Sequence, residues 1–432
     1  MLSPFSTPSL PTALPPFTRS RSVAIFVSFA LAYWLSYGLR AVNAVIGVPL
    51  QLELGVSSAQ LGFLSSLYFL TFASMQLPLG LLLDRYGPKR VEVCLLLVAA
   101  AGSVLFALAP NFFMLCLARA AIGVGVSACL MAPYKGYRQW FAEKWQAPLS
   151  SWMLMVGTAG ALSATLPVSY ALPIVGWRGL FWLIAGLLLL ALCLQATLLP
   201  NHAAASAHGS LPKQQESWHQ QWQGFQQILR SATFWRYAPP AFFIHGGFMA
   251  IQGLWAGPWM QRVSGLNAHA SAQTLFHMGI ALLVSYFFLG WLARWLMQRQ
   301  IPLAHAMTAG MALSQGLLAG IIWFGPQHAE AWWIGYSVST CVMSLGYTAI
   351  NLHFPIHMSG RATTALNFMI FFGAFVVQWG LGIGIDALRA GGWAEGIAYQ
   401  ASFGALLACQ LAALLWFIAR RQRANPARLG SA

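Results

Sequence analysis

Charge is what this 432-residue chain has least of: 7% of its residues are Asp, Glu, Lys or Arg, and only eight are acids. A water-soluble domain of this size carries about a quarter charged residues, so that class is excluded. Six cysteines without a CxxC pair remove a redox dithiol, a zinc ribbon and a disulfide framework as organising devices. No Ser/His/Asp arrangement or metal-ligand cluster of suitable spacing is visible, so neither an enzyme nor a resident metal or other cofactor is expected. The first 22 residues lack an apolar core and are rich in Pro, Ser and Thr; they read as a disordered cytoplasmic tail and not as a cleaved signal peptide.

What is present is apolar, with 58% hydrophobic residues and a mean hydropathy of +0.65. Runs fall near 23–50, 58–83, 91–110, 112–137, 147–172, 178–199, 236–258, 270–293, 303–325, 331–353, 364–387 and 397–419. Each has about 20 or more residues, enough to cross roughly 30 Å of hydrocarbon. The expected fold is an all-α membrane protein of twelve transmembrane helices in two six-helix halves, 23–200 and 236–419. Between them a polar cytoplasmic linker, 201–235, carries Trp218, Trp222, Phe225 and Leu229 on one helical stripe. That stripe suits an interfacial helix on the inner leaflet or a linker helix packed on the bundle. Residues 420–432 form a second cytoplasmic tail.

Lysine and arginine set the orientation, because short basic loops are retained in the cytoplasm. With both termini inside, eighteen basic residues fall on that side, Arg178, Arg262 and Arg389 outside, and Arg40 and Arg119 within spans. The net charge of +15 is therefore accounted for by topology, and no nucleic-acid partner is required. A multi-pass protein of the inner membrane follows, with the bilayer as its partner and a monomer expected.

"GLLLDRYGPKR" at 80–90 follows the second run, and "GWLARWLMQR" follows the eighth at 290–299, with Gly80 matched to Gly290 and Asp84 to Arg294. Two such copies suggest duplicated halves. On Gly80, Asp84, Arg85, Gly87 and Arg90 the chain resembles the major facilitator superfamily of secondary transporters. The resemblance implies that the glycines permit a tight turn and close helix contact, while the acid and bases latch the cytoplasmic side. "LCLARAAIGVGVSA" is similar to the family's fourth-helix pattern on Arg119 and Gly123, with Ile122 where glutamine is usual. "GTAG" at 157–160 lacks the Gly-Pro pair of drug antiporters, which argues against a multidrug exporter.

Helical spacing sorts the polar residues of the spans onto faces. Tyr33, Tyr37 and Arg40 share a stripe with Asn43 beside it; His245, Met249 and Gln252 share another, followed by Trp255; Ser344, Tyr347 and Asn351 line up, as do Asn367 and Gln378. The resemblance places spans one, four, seven and ten around a central cavity. Arg40, with Arg119 and no carboxylate at the same depth, makes such a cavity positive and suited to anions. A charge at mid-bilayer costs roughly 2.5–3.5 kcal/mol on insertion scales, so Arg40 requires a partner, water or an anionic ligand. The stretch Tyr37, Gly38, Leu39, Arg40 is similar to organic-anion and anion–cation symporters, which carry an acid where Leu39 stands.

The expected function is an alternating-access importer of a small organic anion, a carboxylate, sulfonate or phosphate. Tyr37, Arg40, Asn43, Arg119, His245, Gln252, Trp255, Tyr347, Asn351 and Asn367 are the expected binding residues. A coupling ion is an open question, with His245 and His277 as a proton relay if there is one. Movement of a metal or metal chelate is the alternative, from 15 methionines and 10 histidines; a non-transporting ligand sensor is another.

Overall fold

The computed structural model describes residues 18–142, 145–200, 218–324, 329–354 and 356–420, in which every regular element is helical. The tails 1–17 and 421–432, linker residues 201–217, and the side chains of Asp84, Trp218, Trp222 and Asn351 lie outside the described residues. In chain order the helices are α1 (Arg19–Ala41), α2 (Asn43–Leu54), α3 (Ser58–Leu108), α4 (Phe112–Gly125), α5 (Met131–Trp140), α6 (Gln146–Ser163) and α7 (Leu166–Leu198). After the linker come α8 (Trp218–Leu229), α9 (232–262), α10 (Ala268–Gln298), α11 (Leu303–Phe324), α12 (Ala329–Thr340), α13 (Leu345–His353), α14 (Ile356–Ala390) and α15 (Glu395–Ala419).

Seven helical segments among the described residues are long and apolar enough to span a bilayer: Arg19–Ala41, Arg85–Leu108, Leu166–Leu198, Ala268–Gln298, Leu303–Phe324, Gly360–Ala390 and Glu395–Ala419. The protein is thus an all-α, multi-pass membrane fold. The other five apolar runs differ from the expectation for visible reasons. Run 112–137 is split by the turn at 126–130, run 236–258 contains π-helical Ala241–Gly246 and Ile251–Trp255, and run 331–353 contains the 3₁₀ segment Cys341–Ser344. Run 147–172 is broken at Ala164 and Thr165 between α6 and α7, and run 58–83 includes positions 77 and 81, whose side chains lie outside the described residues.

α3 is two helices meeting at Gly87, where φ 79° and ψ 162° lie in a region that essentially only glycine occupies. The tight turn expected of "DRYGPKR" is present on Gly87. Gly80 differs: a Cβ added there meets nothing within 4 Å, so no close helix contact depends on it. In α8, Phe225 and Ile228 are buried, and the helix packs on α14. At Phe225 the stripe packs toward the bundle.

At the end of α2, the Trp177 indole N–H donates to Glu53 Oε2 at 2.5 Å and Arg178 pairs with Oε1, fastening α2 to α7. The Trp177 hydrogen bond holds the Glu53 carboxyl below its ordinary value against the opposing effect of burial, with Arg178 adding to the lowering. A carboxyl depressed in the folded state stabilises above its unfolded pKa, about 4.3, and that contribution is lost as pH falls through the folded value. Glu53→Gln should therefore lower the thermal midpoint of the purified protein slightly at neutral pH, as suits a half-exposed pair. The gap from wild type should close on acidification; a gap that widens would contradict the assignment.

Candidate functional site

α1 stops at Ala41, and Arg40 stands in its last turn, where the partial negative charge of the helix end favours a cation. The guanidinium carbon lies 4.4 Å from the Tyr37 ring centroid, 5.2 Å from Phe371 and 5.6 Å from Phe72. Aromatic faces of this kind stabilise a cation by about 0.5–2 kcal/mol without neutralising it. Nε has no hydrogen-bond partner, and among the described residues no carboxylate pairs with Arg40. Because Phe371 belongs to α14, this cation sits where the chain before the linker meets the chain after it.

The far side is polar and neutral. The Tyr347 hydroxyl donates to Asn367 Oδ1 at 2.7 Å, and the His245 ring packs on Tyr347 with centroids 6.5 Å apart. His245, Tyr286 and Tyr347 all lie within electrostatic reach of Arg40. Tyr286 is 39% exposed while its electrostatic neighbours are Tyr37, Cys341 and Arg40, so its open surface faces the interior. The structure thus gathers Tyr37, Arg40, His245, Tyr347 and Asn367 from the expected set, and adds Tyr286, Phe72 and Phe371. Gln252 is half-buried on α9 near this level.

Three expected binding residues fall elsewhere. Arg119 is 1% exposed and donates from Nη2 to Leu39 O at 3.0 Å, with its carbon 5.1 Å from the Tyr68 ring; it supports α1 from behind and does not line the cavity. Asn43 is buried and donates to Ser65 Oγ at 2.7 Å, joining α2 to α3. Trp255 is fully buried, donates to Gln378 O at 2.8 Å and packs edge-on against Tyr399. The π-helical turns of α9 shift its phase, so 3.6-residue spacing mislocated Trp255. The histidine pair is also separated: His277 bonds Glu330, partly exposed, and has no described contact with His245. Of the expected latch, Arg85 and Arg90 are exposed, Arg85 stacks 5.3 Å from Tyr86, and Asp84 lies outside the described side chains.

At the Glu53 end the two parts of the chain are sealed. Ser58 and Ala59 donate their backbone N–H groups, at the start of α3, to the Asp386 carboxylate of α14 at 3.1 and 2.7 Å. A carboxylate on a helix N-terminus satisfies orphan donors and the helix dipole together. The backbones touch beside it: a Cβ at Gly382 would lie 2.4 Å from Ser58 O, and one at Gly257 only 2.0 Å from Ala44 O. A helical membrane bundle with an interior cationic cleft, sealed at one end between two parts of its chain, is the form of a solute transporter.

The family profile of the Major Facilitator Superfamily matches residues 29–378, and the chain belongs to that superfamily. That superfamily is one of transport proteins and not of enzymes. The chain is 26% identical to a probable L-galactonate transporter of Escherichia coli K12 over 38% of this chain and 36% of that one. It is 29% identical to a probable sulfoacetate transporter of Cupriavidus necator over 26% of each chain, and 26% identical to the hexuronate transporter of E. coli K12 over 54% and 56%. These alignments span from about a quarter to just over half of the relatives' lengths. Among solved structures, an inward-facing, occupied bacterial homologue of the human lysosomal transporter Spinster superposes with a TM-score of 0.77 at 17% identity, over 93% of this chain and 97% of that one. A D-xylose–proton symporter gives 0.70 at 16% identity, over 92% and 97%. At such identities these establish the fold alone.

Asp386→Asn removes the charge from the seal and should favour separation at the Glu53 end. Spin labels at exposed Leu52 and Trp393, in a background without the native cysteines, should show a larger long-distance population in the variant. An unchanged distance distribution would mean that the backbone contacts alone hold the seal.

Proposed function

We propose that this chain is an alternating-access transporter that takes up a small organic anion across the inner membrane, with Arg40 as the anion-binding group. The observation that carries the reading is a guanidinium in the interior, braced by Tyr37, Phe72 and Phe371, with no acid among the described residues to neutralise it. Arginine is suited to a carboxylate, sulfonate or phosphate because its fork can donate two parallel charge-assisted hydrogen bonds. His245, Tyr286, Tyr347 and Asn367 supply neutral polar groups for the rest of the solute. The names of the relatives support the same class, since galactonate, hexuronate and sulfoacetate are carboxylates or sulfonates.

The reading includes twelve spans in two six-helix halves, both termini in the cytoplasm, and the Glu53 end facing outward, as the basic-residue bias favours. On that orientation the seal at Asp386 closes the outer side. The metal reading has no observation in its favour: among the described residues no three ligand groups converge, and a cation beside Arg40 would be repelled. Binding screens with carboxylates, sulfonates and phosphates identify the solute.

For the anion so identified, Arg40→Gln should abolish saturable uptake while insertion and folding persist. Arg40→Lys should lower uptake roughly ten- to a hundredfold, since one charged hydrogen bond contributes about 1.5–3 kcal/mol. Normal uptake by either variant, measured in cells and in proteoliposomes, would remove Arg40 from the site.

A further inference from the structure

Glu92 lies five residues past the Gly87 break, in the Arg85–Leu108 segment, and is 0% exposed. Glu53, Glu330 and Glu395 are each at least a third exposed and pair with Arg178, His277 and Arg262, and half-buried Asp386 holds two backbone N–H groups. Among the described residues Glu92 alone is an acid without either a cation or access to solvent. Its Oε1 accepts from Gln195 Nε2 at 3.0 Å, that nitrogen also donates to Ser28 O at 3.3 Å, and Oε2 has no partner. Gln195 of α7 therefore links this α3 carboxyl to the backbone of α1.

The titratable groups facing it are the Cys129 thiol, in the turn after α4, and the Tyr137 hydroxyl of α5. Lys135 and Arg138 share α5 with Tyr137, and Lys89 and Arg90 share its own helix. Lys89 donates to Leu199 O at 2.7 Å, and the elements α1 and α7 present only Ser28 and Gln195. A carboxylate in such a place has one donor and no counter-charge, an arrangement that costs several kcal/mol. The carboxylic acid fits it, with a proton on Oε2.

We propose that Glu92 is the proton-binding group that couples conformational change to a pH gradient in this chain, taking the role of the acid that Leu39 replaces beside Arg40. This rests on the chain being a transporter and not on which anion it carries. Hydronium transfers its proton to a Glu92 carboxylate oxygen, forming one O–H bond and leaving water; on the other side of the membrane that bond breaks and water accepts the proton. Without the proton, Glu92 must draw in water and compete with Ser28 O for the Gln195 amide, which shifts α1 against α3 and α7. Ser28 and Arg40 lie on that same α1, about 18 Å apart along its axis at 1.5 Å per residue. The movement therefore reaches the anion-binding guanidinium through one rigid helix.

The test uses full-length protein in proteoliposomes and needs no anion. Infrared spectroscopy at neutral pH should show the carbonyl band of a protonated carboxylic acid in wild type, absent in Glu92→Gln. Spin labels at Leu52 and Trp393 should report a distance distribution that shifts with pH in wild type and is fixed in Glu92→Gln. Glu92→Asp should keep the pH response with a moved midpoint, which separates proton binding from loss of packing. The proposal is overturned if wild type lacks the acid band, if its distances ignore pH, or if Glu92→Gln responds as wild type does. Should Glu92→Gln not fold, the wild-type and Glu92→Asp measurements decide alone. Failure of anion binding at Arg40 would leave these readouts untouched.

Discussion

A guanidinium held in the interior of a membrane bundle, with no acid beside it among the described residues, is the constraint from which the rest of this protein follows. Arg40 is tolerated because α1 ends there, offering its negative pole, and because three aromatic rings face the charge. None of these neutralises it. The interior is left with a positive centre that an incoming anion can complete, and removal of that anion restores the cost. A site of this kind binds without needing to fold around its ligand.

The same residue explains how recognition and movement share one place. Arg40 and Tyr37 come from α1, Phe72 from α3, and Phe371 from α14, while Tyr347 and His245 come from α13 and α9. An anion bridging these groups touches both parts of the chain and so has different contacts when they separate, which is the condition for a ligand to shift a conformational equilibrium. The Asp386 seal and the backbone contacts at Gly257 and Gly382 hold one of the two arrangements. Carbonyl contact at glycine is short-range, so a modest rotation is enough to release it.

Much of this was legible in the sequence, and the failures have physical causes. Tyr37 and Arg40 came together because α1 keeps its phase between them; His245 and Tyr347 reach the site although one lies in a π-helical segment and the other follows a 3₁₀ one, and Asn367 is held there by Tyr347. Trp255 was misplaced because two π-helical segments lie in α9, and nothing in "IQGLWAGPW" announces a change of period. Arg119 read as a cavity cation, since spacing cannot tell which side of α1 its guanidinium reaches. Tyr286 was missed because it precedes Phe287 and Phe288, whose exposure is that of a lipid-facing stretch. Glu92 follows the basic stretch 85–90 with nothing in the sequence to mark it; only its burial and the Gln195 amide against it reveal a dry carboxyl.

The central claim is that an uncompensated Arg40 selects for negative charge. Isothermal titration of the purified protein against small carboxylates, sulfonates and phosphates, each paired with its uncharged alcohol, measures that selection directly. The account predicts that wild type binds at least one anion, ignores the matching alcohol, and weakens as salt is raised, and that Arg40→Gln loses the heat of binding. Equal affinity for an anion and its neutral alcohol, or an unaltered isotherm in Arg40→Gln, would contradict it.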